Sequence, residues 1–355
     1  MLHLTGLFHF ARWQIARRGG IVVLTFHRVL PDRVSDASCS LPGMIVRQST
    51  FDSLLSYLCK HFEIVDLNHI DLSQPSRRHR LRLAITFDDG WADNYAVAQP
   101  IARKYGVPIT IFICSQSMGS NVPPWPEMLA YSLEDVAGSR GTRELLLSRL
   151  ASRVGPDFKR RLNGASPFSP HAFIEYLKSF EPKKRNELIG IIRELAGQSP
   201  EATGDCPPAI MSWSEARVLS TDGVAFGSHT RTHEILTQLT PEEVKTEVYG
   251  SKSEIEERLP GRCRLFAYPN GNCTGEIVDT VRDAGYEFAF TTQPGYWRRD
   301  SRSHLIPRIN VWEGKLIGRN GKFSVLRFEY SVLWKAFLGK SRVPSLGQGL
   351  MDSCL

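Results

Sequence analysis

Seven short apolar runs, each ending in a polar group, constrain the fold of this chain more than any other feature. Ile21-Val22-Val23-Leu24-Thr25-Phe26 stops at His27, and Leu81 to Phe87 stops at Asp88 and Asp89. Ile109 to Ile113 stops at Cys114 and Ser115, and Val224 to Ser228 delivers His229. Leu265 to Tyr268 leads into Pro269-Asn270-Gly271, Phe288-Ala289-Phe290 ends in Thr291-Thr292, and Leu305-Ile306-Pro307 delivers Arg308. Runs of this length read as strands, and in the second of them Leu81, Leu83, Ile85 and Phe87 alternate with Arg82, Ala84 and Thr86.

Helical signals separate many of these runs. Phe51, Leu54, Leu55 and Leu58 recur at helical spacing. Ala92 to Tyr105 follows the Asp-Asp strand, with Pro100 set to kink or end it. Thr240-Pro241-Glu242-Glu243 is a strong helix start, combining an N-cap threonine, proline at the first position and glutamate three residues on, for a helix to about Leu259. Gly275 to Ala284 gives another, closed by Gly285. Strands alternating with helices predict a largely parallel sheet covered by helices. Polar residues gathered at strand ends are what a (β/α) barrel produces, because the loops at that face build the site. A doubly wound sheet obeys a similar rule, but the Gly-rich phosphate loops of its nucleotide-binding versions are missing.

The barrel rhythm lapses between Gln116 and Pro208. Pro123-Pro124-Trp125-Pro126 opens this stretch, and Leu145–Val154 and Phe173–Ala196 read as charged helices. The expected organisation is an N-terminal segment at 1–20, a catalytic domain at 21–320 with a helical insertion at about 117–208 beside the site, and a tail at 321–355. Phe328 to Leu338 is expected as a helix or strand on the outside, with Gly347 to Leu355 frayed.

The composition, 42% hydrophobic and 23% charged, is that of a globular protein. A formal charge of +7 favours anionic surfaces, headgroups or glycans. The basic residues are scattered, and runs such as Arg77-Arg78-His79-Arg80 and Lys183-Lys184-Arg185 suit solvated faces, so nucleic acid is not the expected partner. Seven cysteines without a CxxC pair argue against a disulfide framework and against a cysteine zinc site. The N-terminus does not read as a signal peptide, and no apolar run approaches the ~20 residues of a membrane span. Leu7 to Arg18 mixes Phe8, Phe10, Trp13 and Ile15 with three arginines. It is read first as a helix packed on its own domain and second as a peripheral membrane contact. The expected location is cytoplasmic or peripheral to the membrane.

Chemistry concentrates in two of the polar ends. Asp88 and Asp89 are adjacent like charges, costly to bury unless a cation or a shared proton compensates. By itself an Asp-Asp-Gly is usually only a turn. His229-Thr230-Arg231-Thr232-His233 changes the balance, because two imidazoles and Asp89 make three ligands for a divalent ion with a position left open for water. Asp88 then stands free beside the metal as a base. Arg308, from another strand end, would hold Asp88 ionised.

Thr86-Phe87-Asp88-Asp89-Gly90, then Ser228 to His233, then Phe266-Ala267-Tyr268-Pro269-Asn270-Gly271, in this order, resemble the motifs of the polysaccharide deacetylase family (carbohydrate esterase family 4). The resemblance covers roughly Ile21 to Val311 outside the insertion. It implies a distorted (β/α) barrel, a divalent metal, most simply Zn2+, and removal of N- or O-acetyl groups from glycans of the cell envelope or an exopolysaccharide. On that resemblance Asp88 matches the catalytic base, Asp89, His229 and His233 match the metal ligands, and Asn270 matches a residue whose backbone N–H faces the oxyanion.

Two departures stand out. Ala267 occupies the place where the family commonly has an arginine, and no clear Leu-x-x-His supplying the acid follows His233. Leu24 to Val29 instead resembles the early Tyr-His segment of the biofilm poly-N-acetylglucosamine deacetylases, which makes His27 the acid, with Arg308 substituting for the missing arginine. His304 starts its strand and so belongs at the wrong end of a barrel. Besides a polysaccharide deacetylase, the sequence suits a deacetylase or deformylase of a lipid- or nucleotide-linked sugar, or a catalytically silent glycan-binding module. It does not identify the sugar or the oligomeric state.

Overall fold

The structure, a computed structural model, describes residues 2–35, 38, 40–71, 80–155, 170–197, 210–298 and 302–338. Three of the cysteines (39, 206 and 354), residues 77–79 of the first basic run, two stretches of the insertion and the tail from 339 lie outside these described residues. Among the described residues ten strands occur in chain order: β1 (Ile21–Phe26), β2 (Arg28–Leu30), β3 (Ile45–Arg47), β4 (Glu63–Ile64), β5 (Arg82–Phe87), β6 (Thr110–Ile113), β7 (Ala225–Ser228), β8 (Leu265–Ala267), β9 (Phe288–Phe290) and β10 (Ile309–Asn310). Eight of them make one sheet in the order β10-β1-β5-β6-β7-β8-β9, with β4 beside the first half of β5, and every pairing in it is parallel. The sheet is curled, and residues 306–310 span its two edges: Ile306 bridges β9, and β10 pairs with β1. The predicted strand at 305–307 is thus only a bridge at Ile306, and the regular strand begins after Arg308.

Burial in β5 departs from the simple alternation. All six residues of the strand are buried, Arg82, Ala84 and Thr86 included. The two sets face two apolar layers instead of core and water. Val22, Leu24, Leu83, Ile85 and Phe87 pack under the surrounding helices, while Ile21, Val23, Ala84, Phe112 and Phe290 fill the interior. A parallel sheet covered on both faces leaves no wet side, so the small or polar set of β5 marks the crowded interior.

The helix start at Thr240 holds in detail. The Thr240 hydroxyl accepts from the Glu243 N–H, the Glu243 carboxylate accepts from the Thr240 N–H, and the helix runs Pro241–Arg258. After β5 the chain winds as a wide turn at Asn94–Ala98 before the α-helix Gln99–Lys104. Pro100 explains the widening, since it cannot donate to the carbonyl four residues back.

The insertion is richer in helix than its sequence signals. Trp125–Ala137 forms a helix with Pro126 in its first turn, and the next begins at Arg140, five residues before the expected start, because Ser139 caps it through the Thr142 N–H. The predicted Phe173–Ala196 helix is two helices, Pro170–Leu177 and Pro182–Leu195. Pro182 resets the chain there, because the residue before a proline is pushed out of helical geometry. These helices share a core of their own, including Leu133, Leu146, Phe173 and Ile192, which Ile235 joins from the barrel side. The N-terminal helix Leu2–Arg17 buries Phe8, Ala11 and Ile15, and the helical stretch 325–338 buries Phe328, Val332, Leu333 and Ala336.

Candidate active site

The parallel arrangement brings the C-terminal ends of β1, β5, β6, β7 and β8 to one rim, and the loops there carry the motif residues. Asp88 N donates to Phe26 O, and His229 N donates to Ile113 O, so both motifs leave their strands still tied to the neighbouring one. Four non-glycine residues adopt positive φ among the described residues: Asp89, Thr230, His233 and Asn270. All four lie in these motif loops. Left-handed geometry is unfavourable for residues with a Cβ, and here it is confined to the loops that carry the motif residues. Gly90 must follow Asp89, since a Cβ on it would meet Ile113 Cγ2 at 2.9 Å.

Asp89, His229 and His233 each offer one ligand atom, and these atoms lie within 4.8 Å of one another. Asp89 Oδ1 is 3.3 Å from His233 Nε2 and 3.7 Å from His229 Nε2. The other oxygen, Oδ2, accepts from the Trp91 indole N–H at 3.1 Å. That division leaves Oδ1 buried with no hydrogen-bond partner among the described residues. His229 Nδ1 donates to Ala267 O at 2.7 Å, which fixes the tautomer with the Nε2 lone pair toward Asp89. Burial pushes the His229 imidazole down to about 4, so the ring is neutral near pH 7. For Asp89, burial acts upward, but the two imidazoles hold the carboxyl well below its ordinary range. The donor set therefore fits a divalent cation: one ionised carboxylate oxygen, left without a hydrogen-bond partner among the described residues, and two imidazoles converge on one point.

Asp88 has a different partner. Arg308 Nη1 and Nη2 donate to its two oxygens at 2.7 and 2.8 Å in a bidentate pair. Burial would raise the Asp88 carboxyl, and the Arg308 guanidinium, with help from the His229 and His27 imidazoles, outweighs it and holds the group below its usual value. Arg308 is itself fixed, by Thr291 O at 3.1 Å and by the Phe112 ring at 5.3 Å. The sequence expectation of an Asp88–Arg308 contact is met.

His27, half-buried at the end of β1, lies near enough to both aspartates to help lower their carboxyls. Its backbone carbonyl accepts from Asn94 Nδ2 at 2.8 Å, and its Nδ1 is buried without a partner among the described residues. His304 lies at the other end, with Nε2 2.8 Å from Tyr286 O, ahead of β9. Asn270 is exposed at the rim, with its side chain held by Lys178 of the insertion at 3.0 Å and by Asn272 at 2.7 Å.

Several supporting residues carry no sequence signal of their own. Glu247, from the helix Pro241–Arg258, accepts from Arg231 N at 2.7 Å and from Thr232 N at 3.0 Å, which pins the loop between the two histidines. Arg28, next to His27, donates to Asp93 at 2.9 Å, to Ser40 at 2.8 Å and to Tyr131 of the insertion at 3.0 Å, and stacks 4.2 Å over Trp91. Asp93 is four residues beyond Asp89, and that repeat of carboxylates was the one available hint. Glu127, also from the insertion, is buried with its carboxyl close to Arg28, Ser40 and Leu41. Burial pushes its carboxyl up to about 7 despite the nearby Arg28. A cavity of about 240 Å³ opens beside the histidine loop, bounded by Gln116, Ser117, Trp125, Met128 and Thr232 among others.

Comparison with known proteins agrees with this geometry. The sequence profile of the polysaccharide deacetylase family matches residues 76–144 and 190–289. YxkH of Bacillus subtilis, a protein named for that family, is 21% identical over 243 residues, which cover 68% of this chain and 56% of that protein. Among solved structures, the Streptococcus pyogenes deacetylase PplD, determined with acetate, superposes with a TM-score of 0.52 at 16% identity, over 83% of this chain and 94% of that one. A polysaccharide deacetylase from Bacillus cereus gives 0.53 at 15%, over 88% of this chain and 68% of that one. IcaB from Ammonifex degensii gives 0.52 at 18%, over 83% of this chain and 93% of that one. At these identities the structural likeness speaks to the fold, a curled parallel sheet ringed by helices. With its motifs in order on that fold, the chain is similar to the polysaccharide deacetylase family over those two matched stretches.

Proposed function

We propose that this protein is a metal-dependent hydrolase that removes acetyl groups, N-acetyl foremost, from a polysaccharide or glycan. The observation that carries the reading is the three-residue cluster of Asp89, His229 and His233, within 4.8 Å, beside an Asp88 gripped by Arg308. When bound there, a divalent ion, zinc by the donor set, supplies the Lewis acidity that brings water's acidity toward neutrality. Asp88 takes the proton from the attacking water, and Arg308 keeps it ionised for that task. The Asn270 backbone N–H donates to the oxygen of the tetrahedral centre. His27 returns a proton to the departing nitrogen, since an amide anion leaves too poorly without one.

The cavity beside the histidine loop supports a sugar as substrate: Trp125 and Met128 give it an apolar wall, and Gln116, Ser117 and Thr232 give it polar groups. The placement of His27 ahead of the Asp-Asp motif supports the biofilm-type branch. A silent glycan-binding module is disfavoured, because binding alone does not require a second carboxylate kept ionised beside the ligand set. The test is acetate release from a panel of acetylated glycans and lipid-linked sugars, together with elemental analysis. His229→Ala or His233→Ala should abolish stoichiometric metal and acetate release together. Full metal retention in either variant, or no release from any substrate by metal-loaded enzyme, contradicts the proposal.

A further inference from the structure

Away from the rim, apolar surface is unevenly spread. Eleven large apolar residues are exposed among the described residues, and seven of them lie on two segments, Leu2–Arg17 and 325–338. On the first, Phe8, Ala11 and Ile15 form the buried stripe, while Leu7, Phe10 and Trp13 form a second apolar stripe facing out, each 47–48% exposed. On the other segment Tyr330, Trp334 and Leu338 recur every four residues, with Tyr330 and Leu338 55% and 57% exposed. The two stripes meet: the Phe10 ring lies 6.0 Å from Trp13 and 6.4 Å from Phe337, which lies 5.5 Å from Trp334. A helix that is apolar on more faces than its domain covers has a further use for one of them.

The charge around this surface says which use. Residues 2–18 contain no aspartate or glutamate. Glu329, the one acid of 325–338, is buried and paired with Arg12 and Tyr57. The exposed charges are Arg17, Arg18, Arg327 and Lys335, with Arg17 stacked 5.2 Å from Trp13. Such a surface repels a second copy of itself and attracts an anionic one. Aromatic rings flanked by basic side chains suit the boundary between headgroups and acyl chains. No helix among the described residues is long and apolar enough to cross a membrane, so the contact is with the surface only.

We propose that the paired segments Leu2–Arg17 and 325–338 form a docking face for a membrane surface rich in anionic phospholipid. The probe is phosphatidylcholine vesicles with and without phosphatidylglycerol, sedimented with the full chain. Binding should require phosphatidylglycerol and weaken as salt screens the basic residues. Phe10→Glu/Trp13→Glu should lower the partition coefficient by at least about tenfold, and Arg17→Glu should lower it less. All three substitutions lie on exposed positions outside the site, so acetate release from a soluble substrate should stay at the wild-type level, and circular dichroism checks that the fold is kept. The vesicle readout does not depend on the enzymatic reading, and failure of one leaves the other standing. The proposal is overturned by absence of vesicle binding, by binding that the double variant leaves unchanged, or by a wild-type dimer that the double variant dissociates.

Discussion

The barrel and the insertion hold the site in different ways. The barrel does it with backbone. Asp88 and His229 leave strands still hydrogen-bonded to their neighbours, and Asp89, Thr230, His233 and Asn270 take left-handed turns there. The insertion does it with long side chains. Tyr131 reaches Arg28 beside His27, Lys178 reaches Asn270, and Arg185 pairs with Glu234 next to His233. The paired strands fix the strand ends through backbone hydrogen bonds, whereas ion pairs from a second core can shift without unfolding it. The difference suggests a division of work, with the reacting groups set by the barrel and the approach of the substrate set by the insertion.

His27 stands where the two meet, and it gives the sharpest probe of that boundary. His27→Ala should keep the metal and lose about 10²–10⁴ in rate on an amide. It should lose much less on an activated ester whose leaving group needs no proton. Equal losses on both would mean that His27 holds the Arg28–Tyr131 junction in place and delivers no proton.

Arg308 tests the barrel side alone. With the guanidinium removed, burial dominates and the Asp88 carboxyl rises, so the base is protonated at higher pH. The acidic limb of kcat/KM in Arg308→Met should therefore move upward, and Arg308→Lys should recover part of the shift. An unmoved limb in the Met variant would make Arg308 a structural partner only.

Glu127 tests the insertion side, with a smaller effect, in stability. Its folded carboxyl is raised from 4.5 to about 7. The native state thus holds the proton more tightly, and the stabilisation present below pH 4.5 is lost as pH rises through 7. The slope is at most about 1.4 kcal/mol per pH unit over that window. Glu127→Gln should remove this slope from urea midpoints measured between pH 5 and 8. Identical pH profiles for the two proteins would show that the joint between barrel and insertion is insensitive to this carboxyl.

The barrel was legible because its constraints are local. Short apolar runs with polar ends, the Thr240 capping box and the Asp88-Asp89-Gly90 and His229–His233 motifs all announce themselves within a few residues. The support was not legible, because it joins distant parts of the chain. Glu247 pins the loop between the histidines from a helix 15 residues on, and Arg28 ties Asp93, Ser40 and Tyr131 together across more than 100 residues. The surroundings of β5 were not legible for a related reason: alternation reports two environments, and only the fold tells whether the second is water or another packed layer. The Trp125–Ala137 helix was not expected, although Pro126 sits in its first turn, where a proline is tolerated.

The central claim is that a carboxylate beside the ligand set, and not one of the ligands, does the proton work. It is tested most directly by Asp88→Asn, assayed for bound metal by elemental analysis and for acetate release on the same sample. The amide keeps the shape of the side chain but cannot accept the water proton. The account predicts unchanged metal stoichiometry with a loss of about 10²–10⁴ in kcat. An Asp88→Asn enzyme that keeps its metal and stays within a few-fold of the wild-type rate would contradict it.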